Sequence, residues 1–219
     1  KGFSWPYYLS VPNVLTNPAH LLVAPNNTGY DAYGQVLHDV LARNILYWQT
    51  GVVYNWTLGS PVLVPTFPRY PGLYFQSLGP VAFRKQDKKE LRRIDLQLVA
   101  MMEDAKERLR SAGHRIYEKA FMMGFSASGS FTNMFSFVHP ELTRACSIGG
   151  GPPTVLYRDG SSWKFKGAGR TWDFTALTGQ PFNLKDYRKI PQYIFVGDQD
   201  GNYNSDPTLW ENTKAEYEA

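Results

Sequence analysis

Cysteine is nearly absent from this sequence, in which Cys146 is the single one. One cysteine excludes an internal disulfide, and its apolar surroundings, RACSIGGG, predict an inert thiol in a buried strand. No apolar run approaches the ~20 residues that span a bilayer, so we expect no membrane span. The sequence also lacks internal repeats and low-complexity linkers, and its 219 residues fit one domain.

The sequence also has little excess of charge of either sign, since its formal net charge is +4. The basic residues concentrate in FRKQDKKELRR, residues 83–93, where acidic residues are interspersed. Mixed charge indicates a solvated helix face rather than a nucleic-acid site, which would combine a basic stripe with exposed aromatic side chains. We therefore expect no nucleic-acid partner. A hydrophobic content of 43% excludes a disordered chain.

Short apolar runs alternate with longer helical patterns along the chain. The runs with strand character are PYYLSVP, HLLVAP, PVLVPTFP, AFMMG, TRACSIGGG and QYIFVGD. Helical patterns cover residues 31–48, 87–113 and 128–141. Strands that alternate with helices indicate βαβ units and therefore a mostly parallel sheet.

The sequence predicts which side chains one of these helices buries and how another begins and ends. The helix over 31–48 is expected to bury a stripe formed by Val36, Val40, Leu41 and Ile45. The helix over 87–113 is expected to open with a capping box formed by Asp87 and Glu90 and to end at a left-handed Gly113.

The stretch MMGFSASGSFTN, residues 122–133, places Ser126 among small residues between a strand and a helix. A serine hydroxyl is a poor nucleophile unless a base takes its proton and donors stabilise the oxyanion. A tight turn helps, since it leaves N–H groups of the helix start facing the developing charge. Gly124, Ala127, Ser128 and Gly129 leave room for such a turn. The alternative is a serine that only caps the following helix.

These residues resemble the nucleophile elbow of the α/β-hydrolase superfamily, G-x-S-x-G. The chain reads Gly124-Phe125-Ser126-Ala127-Ser128, with Gly129 one place later, and is similar to the G-x-S-A-x-G form of the secreted esterase and polyhydroxyalkanoate depolymerase branch. The resemblance implies an α/β-hydrolase fold, with a mostly parallel sheet flanked by helices on both faces. It implies a serine hydrolase acting on small or polymeric carboxylic esters without a metal or organic cofactor. It also favours a secreted or cell-envelope location.

The resemblance assigns roles to further residues. Ala127 and a residue of the loop 25–29, taken as Asn27, are expected to donate the oxyanion hydrogen bonds. The acid is expected after the strand QYIFVGD, where the pattern selects Asp200 and leaves Asp198 as the alternative. Two other interpretations stay open, namely an ordinary turn over 25–29 and a solvated or calcium-binding loop over 198–206.

A histidine that could serve as the base is not evident. The four histidines are His20, His38, His114 and His139, and none follows the expected acid. His20 begins a strand, His114 lies between a helix and the next strand, and His139 ends a helix, so all three are expected near the amino ends of strands, opposite to the serine. His38 lies inside a helix. We therefore expect that a C-terminal part of the fold, with the histidine, is missing, which would favour self-association. The alternative is a noncatalytic hydrolase-like protein that binds a glycan or polymer.

Aromatic residues gather in two stretches, residues 65–75 and 156–174, which are both expected near the carboxyl ends of strands. They could form an apolar pocket or a surface that stacks on sugars or polymer. Ordinary loop packing is the other interpretation. The two stretches therefore do not identify a substrate.

Overall fold

The computed structural model describes residues 2–26, 34–48, 55, 57–68, 78, 80–83, 88–150, 156–167 and 170–197. The strands within these residues are β1 (Tyr7–Ser10), β2 (Leu22–Val23), β3 (Val62–Pro65), β4 (Ala120–Phe125), β5 (Thr143–Gly149), β6 (Leu156–Asp159), β7 (Ser162–Gly167), β8 (Arg170–Asp173) and β9 (Gln192–Phe195). The α-helices are α1 (Gln35–Trp48), α2 (Pro80–Phe83), α3 (Ile94–Ser111), α4 (Ala127–Val138), α5 (Phe174–Thr178) and α6 (Leu184–Tyr187).

The main sheet has the strand order β1-β3-β2-β4-β5-β9 in the described part of the chain. Strand β1 is antiparallel to β3, and every other neighbouring pair is parallel. The prediction of a mostly parallel sheet is therefore confirmed. Because the strands β2, β4, β5 and β9 run in one direction, the segments that follow them begin at the same edge of the sheet.

Helices cover both faces of this sheet. Helix α1 packs against one face, where its buried residues meet side chains of β2 and β3. Helices α3 and α4 pack against the other face over the larger core. The stripe predicted for α1 is partly wrong, because Val36 is 80% and Val40 is 36% exposed. The side chains of α1 that are buried are His38, Ala42, Ile45 and Leu46.

Helix α3 begins later than the sequence pattern indicates. Glu90 lies in a 3₁₀ turn, Lys89–Leu91, and the N-cap of α3 is Arg93, whose φ is 46° and whose side chain does not cap the helix. The predicted capping box is therefore wrong, and Asp87 lies outside the described residues. The end is confirmed, since Gly113 has a φ of 89° and the N–H of the next residue donates to Leu109.

Two consecutive tyrosines attach the edge strand β1 to a helix on each face of the sheet. Adjacent residues of a strand point to opposite faces. The Tyr7 hydroxyl donates to Asp104 of α3 over 2.5 Å, and the Tyr8 hydroxyl donates to Asp39 of α1 over 2.6 Å. Burial and the neighbouring Asp104 carboxylate raise the pKa of Tyr7 to about 12. Each phenol therefore stays a hydrogen-bond donor at neutral pH.

The aromatic stretch at 156–174 forms structure that the sequence patterns did not predict. Strands β6, β7 and β8 make a separate antiparallel sheet, and Gly160 occupies the tight turn between β6 and β7 with a φ of 60°. Phe165 and Phe174 are 2% and 1% exposed, within the main core. Phe67, from the other stretch, is 2% exposed. These three rings are therefore core residues, and the loop-packing interpretation is wrong for Phe165 and Phe174, which lie in β7 and α5.

Candidate active site

Ser126 lies between the end of β4 and the start of α4, in a conformation that serine rarely adopts. Its φ is 59° and its ψ is −121°, and its side chain is exposed. Non-glycine residues avoid this region, and they occupy it where the surrounding structure forces them to. The hydroxyl forms no capping hydrogen bond with α4, so the interpretation of Ser126 as a helix cap is wrong. Its hydroxyl is therefore available for chemistry.

Close backbone contacts force this turn. A Cβ atom on Gly124 would lie 2.0 Å from the carbonyl oxygen of Ser128, and a Cβ atom on Gly129 would lie 2.7 Å from the carbonyl oxygen of Gly149. Real Cβ atoms do not approach backbone so closely, so both positions require glycine. The expectation that the turn needs small residues on both sides of Ser126 is confirmed for these two positions.

Ser128 also forms hydrogen bonds within the turn. Its side chain is buried, and its hydroxyl oxygen accepts a hydrogen bond from the Phe125 N–H over 2.9 Å. The same hydroxyl donates to the Phe125 carbonyl oxygen over 2.9 Å. Sequence reasoning missed this role, because it counted Ser128 only as a small residue.

The first N–H groups of α4, next to Ser126, are not used by the hydrogen bonds of the helix. The first regular bond of the helix runs from the Ser130 N–H to the Ser126 carbonyl oxygen over 3.1 Å. The N–H groups before it, including that of Ala127, have no acceptor within the helix. Together with the helix dipole, they favour negative charge at this position.

Two side-chain amides join α1 to the segments that leave β2 and β3 at this edge. The Asn26 amide donates to the His38 carbonyl oxygen over 3.0 Å, and the Gln35 amide donates to the Thr66 carbonyl oxygen over 2.7 Å. Asn26 is 3% exposed, directly after the strand that neighbours β4. Both contacts fix the first turn of α1 beside the site. The predicted oxyanion donor Asn27 lies outside the described residues.

Strand β9 also ends at this edge, where its last residue pairs with Gly149 of β5. The predicted acids Asp198 and Asp200 follow it and lie outside the described residues. Beside Ser126, the rings of Phe125 and Phe195 have centroids 6.1 Å apart. The Phe125 ring is 56% exposed and passes close to Gly150, where a Cβ atom would lie 2.4 Å from it. The result is an apolar surface next to the serine.

The histidines lie where the sequence order indicates. The Nδ1 atom of His20 is 2.8 Å from the carbonyl oxygen of Lys119, just before β4, which places it at the amino edge. His114 lies between α3 and β4. His139 follows the last turn of α4, roughly 18 Å from Ser126 by the rise of a 12-residue helix. His38 lies in the first turn of α1 and is buried. Its carbonyl oxygen accepts the hydrogen bond from Asn26.

His139 belongs to a buried network of charges instead. Its Nε2 atom is 3.0 Å from Asp95 Oδ2, and Arg93 binds both oxygens of Asp95 over 2.9 and 2.7 Å. Burial alone would raise the pKa of Asp95, but the hydrogen bonds from Arg93 and His139 lower it. Burial alone would lower the pKa of His139, but Asp95 and Glu141 raise it. This network joins the start of α3 to the end of α4.

Within the described ranges, no three or more His, Cys, Asp or Glu side chains come together as a possible metal site. Among those same residues, no helix combines the length and the apolar character needed to cross a membrane.

The sheet order, the helices on both faces and the strand-to-helix turn at Ser126 make this an α/β-hydrolase fold. No family model matches the sequence, and none of the curated proteins matches it. Among solved structures, the chain is similar to poly(aspartic acid) hydrolase-1 from Sphingomonas sp. KT-1. The two share 15% identity over 94% of this chain and 72% of that chain, with a TM-score of 0.54.

Two other solved structures are similar at lower TM-scores. One is a thermostable esterase, with 17% identity, 97% of this chain and 58% of that chain covered, and a TM-score of 0.47. The other is a phospholipase/carboxylesterase from Dyadobacter fermentans DSM 18053, with 12% identity, 97% of each chain covered and a TM-score of 0.39. The chain thus spans 58% of the length of the thermostable esterase.

Proposed function

We propose that this protein is a serine hydrolase of carboxylic esters and that Ser126 is its nucleophile. The observation that carries the proposal is the exposed serine at a φ of 59° between β4 and α4. Such a turn presents the hydroxyl above the sheet and places helix N–H groups beside it. A serine that served only as a cap would bind those N–H groups itself, and Ser126 does not.

The rest of the machinery is proposed around this serine. The amides of Ala127 and Asn27 hold the oxyanion, and Asp200, or Asp198 as the alternative, orients the histidine. None of the four histidines in the sequence is proposed for this role, since His20 contacts Lys119 at the amino edge, His139 contacts Asp95 and His38 is buried. The base takes the Ser126 proton during attack on the carbonyl carbon and returns it to the leaving alcohol. Water then releases the acid by the same steps.

A fluorophosphonate probe tests the nucleophile directly. We expect the native protein, meaning the full-length protein with the proposed histidine, to be labelled, with the adduct on Ser126 after peptide mapping. Ser126→Ala should abolish labelling. Ser130→Ala is the matched control, because Ser130 lies one turn further along the same helix and the substitution keeps its backbone N–H, which donates to Ser126. A folded native sample that stays unlabelled while a control esterase reacts would leave the noncatalytic binding protein as the better description.

The missing base makes a second prediction for the 219-residue chain alone. Serine hydrolases that lose one triad member keep a residual acceleration of about 10³ to 10⁴ over water. We therefore expect the chain to hydrolyse p-nitrophenyl esters at that low level. Activity near that of an intact triad, lost on Ser126→Ala and on His38→Gln, would identify His38 as the base instead.

The finer assignments are also proposals. The G-x-S-A-x-G form of the elbow supports a relation to the secreted esterase and depolymerase branch, and with it a small or polymeric ester substrate. Self-association is proposed because β9 lies at the edge of the described sheet and its Tyr193 and Phe195 side chains are 67% and 39% exposed. The solution mass of the chain over a range of concentrations tests it, and a monomer at every concentration would contradict it.

A further inference from the structure

The elbow departs from G-x-S-x-G at its last position, where Ser128 replaces glycine. The substitution is not a surface variation, because Ser128 is 3% exposed. Its hydroxyl forms hydrogen bonds to both backbone groups of Phe125, each over 2.9 Å. Phe125 immediately precedes the strained Ser126, so the hydroxyl contacts the peptide that leads into the turn.

The neighbouring strands explain why those groups need a partner. The Ser126 N–H donates to Gly149 of β5 over 2.8 Å, whereas the Phe121 N–H donates to Leu21, just before β2, over 2.9 Å. Backbone groups of successive residues in a strand point to opposite neighbours, so alternate residues point to the same one. The groups of Phe125 therefore point to the β2 side.

Strand β2 does not reach Phe125. Its pairing with β4 ends where Val23 faces Met122. The chain continues to Asn26, whose side-chain amide donates to the His38 carbonyl oxygen of α1. Both hydrogen bonds of Phe125 are partly buried, and an N–H and a C=O left there without partners would be costly. The Ser128 hydroxyl supplies a donor and an acceptor at once, which a glycine in the same place has no side chain to do.

We infer that Ser128 is a positioning residue that braces the elbow. The Ser128 hydroxyl replaces the β2 backbone groups that would otherwise pair with Phe125. It thereby holds Ser126 in its strained conformation and keeps the Ala127 N–H beside it. The catalytic part of this inference rests on the proposed function of Ser126. It has an unusual consequence, because Ser128→Gly, which restores the family glycine, should impair the site.

The test compares Ser128→Gly and Ser128→Ala with a matched control, Ser136→Ala. Ser136 lies on the same helix and is also buried, and its hydroxyl donates to the carbonyl oxygen of Asn133 over 2.7 Å. All three variants remove one buried hydroxyl from α4. Only the first two remove it from the elbow. Thermal unfolding of each variant establishes that it is folded.

Two readouts distinguish the loss of the hydrogen bonds between Ser128 and Phe125 from general destabilisation. The first is amide hydrogen exchange at Phe125, measured by NMR on the native protein, which needs no catalytic activity. Both Ser128 variants should exchange about tenfold faster at this amide than the Ser136 control. The second is the rate of fluorophosphonate labelling of Ser126. It should fall by about 10- to 100-fold in the Ser128 variants and stay near the native rate in the control, because small displacements of a reacting group are costly.

The outcomes are distinguishable. Exchange at Phe125 that matches the Ser136 control would contradict the inferred role of Ser128. Native labelling rates in Ser128→Gly would contradict it too. If the native protein is not labelled at all, the proposed function fails. The exchange measurement alone then decides whether the hydroxyl holds the turn.

Discussion

Ser126 occupies a backbone region that costs of order 1–3 kcal/mol, and its neighbours hold it there. The N–H of Ser126 is bound to Gly149 of β5, and its carbonyl oxygen accepts from Ser130. The strand before it and the helix after it approach too closely for any side chain on Gly124. The conformation is thus determined by contacts on both sides of the turn.

Gly124→Ala tests this packing at the scale of one atom. The added Cβ would lie 2.0 Å from the backbone oxygen of Ser128, which cannot move without shifting α4. We expect a loss of at least about 3 kcal/mol in the free energy of unfolding, measured by denaturant titration. Gly34→Ala is the control, since its Cβ would meet nothing within 4 Å and should cost less than about 1 kcal/mol. Equal costs would contradict the packing described here.

Cys146 should be chemically inert in the folded protein. The thiol is 4% exposed, and burial raises its pKa to about 12. Because the thiolate is the reactive form, iodoacetamide at about pH 8 should not modify Cys146 unless a denaturant is present. Mass spectrometry of the native and unfolded protein measures this. Rapid modification of the native sample would show that the β5 strand opens readily.

Residue-scale features were predictable where they depend on near neighbours in sequence. Gly124, Ser126 and Gly129 lie within six positions, and their spacing alone predicts the turn. The hydrogen bonds of Ser128 were not predictable, because they depend on where β2 stops, about a hundred residues earlier in the chain. The burial of Cys146 followed from its apolar surroundings.

At the scale of elements, the buried pair of Asp95 and His139 joins α3 to α4. The lowered pKa of Asp95 means that its contribution to stability is present above its unfolded pKa of about 3.9 and is lost as the pH falls through the folded value. The raised pKa of His139 means that its contribution is present below about 6.5 and is lost as the pH rises through the folded value. Both contributions are complete between about pH 4 and 6.5.

His139→Gln removes the alkaline part of this dependence. The melting temperature of the native protein should exceed that of the variant most clearly near pH 6, and the difference should shrink as the pH rises toward 9, because Asp95 and Glu141 raise the pKa of His139. Thermal unfolding across this range measures it. A difference that is constant with pH would mean that folding does not change the pKa of His139, which would contradict the raised pKa.

Asp95→Asn removes the charge between two cations. Asp95 is fully buried, and Arg93 and His139 both bind it. Removing one partner of a buried ion pair leaves the others uncompensated, so we expect a loss of about 3 kcal/mol in the free energy of unfolding. Denaturant titration measures it. A loss below about 1 kcal/mol would mean that solvent screens the network as it screens surface pairs.

Element existence was more predictable than element boundaries. The six predicted strands all form, because each is a short apolar run. The start of α3 was not predictable from a capping pattern, since Arg93 and Asp95 hold the first turn through a tertiary network with His139. The sheet of β6, β7 and β8 was missed because this stretch was interpreted only by its aromatic content, although SWKFKG in β7 alternates polar and aromatic residues.

At the scale of the whole molecule, the parallel strands bring distant segments to one edge of the sheet. Ser126, the start of α1 and the end of β9 meet there although they are far apart in sequence. The alternation of strands and helices was sufficient to predict this edge. It was not sufficient to predict how α1 is fixed to it, because the contacts of Asn26 and Gln35 are made to backbone atoms and leave no pattern in the sequence.

The most direct test of the account is to trap the acyl-enzyme. The native protein is mixed with p-nitrophenyl acetate, quenched in acid during the first turnover and mapped by mass spectrometry. The account predicts a burst of p-nitrophenol, one acetyl group on Ser126, and loss of both in Ser126→Ala but not in Ser130→Ala. Hydrolysis that persists in Ser126→Ala, or an acetyl group on another residue, would contradict it.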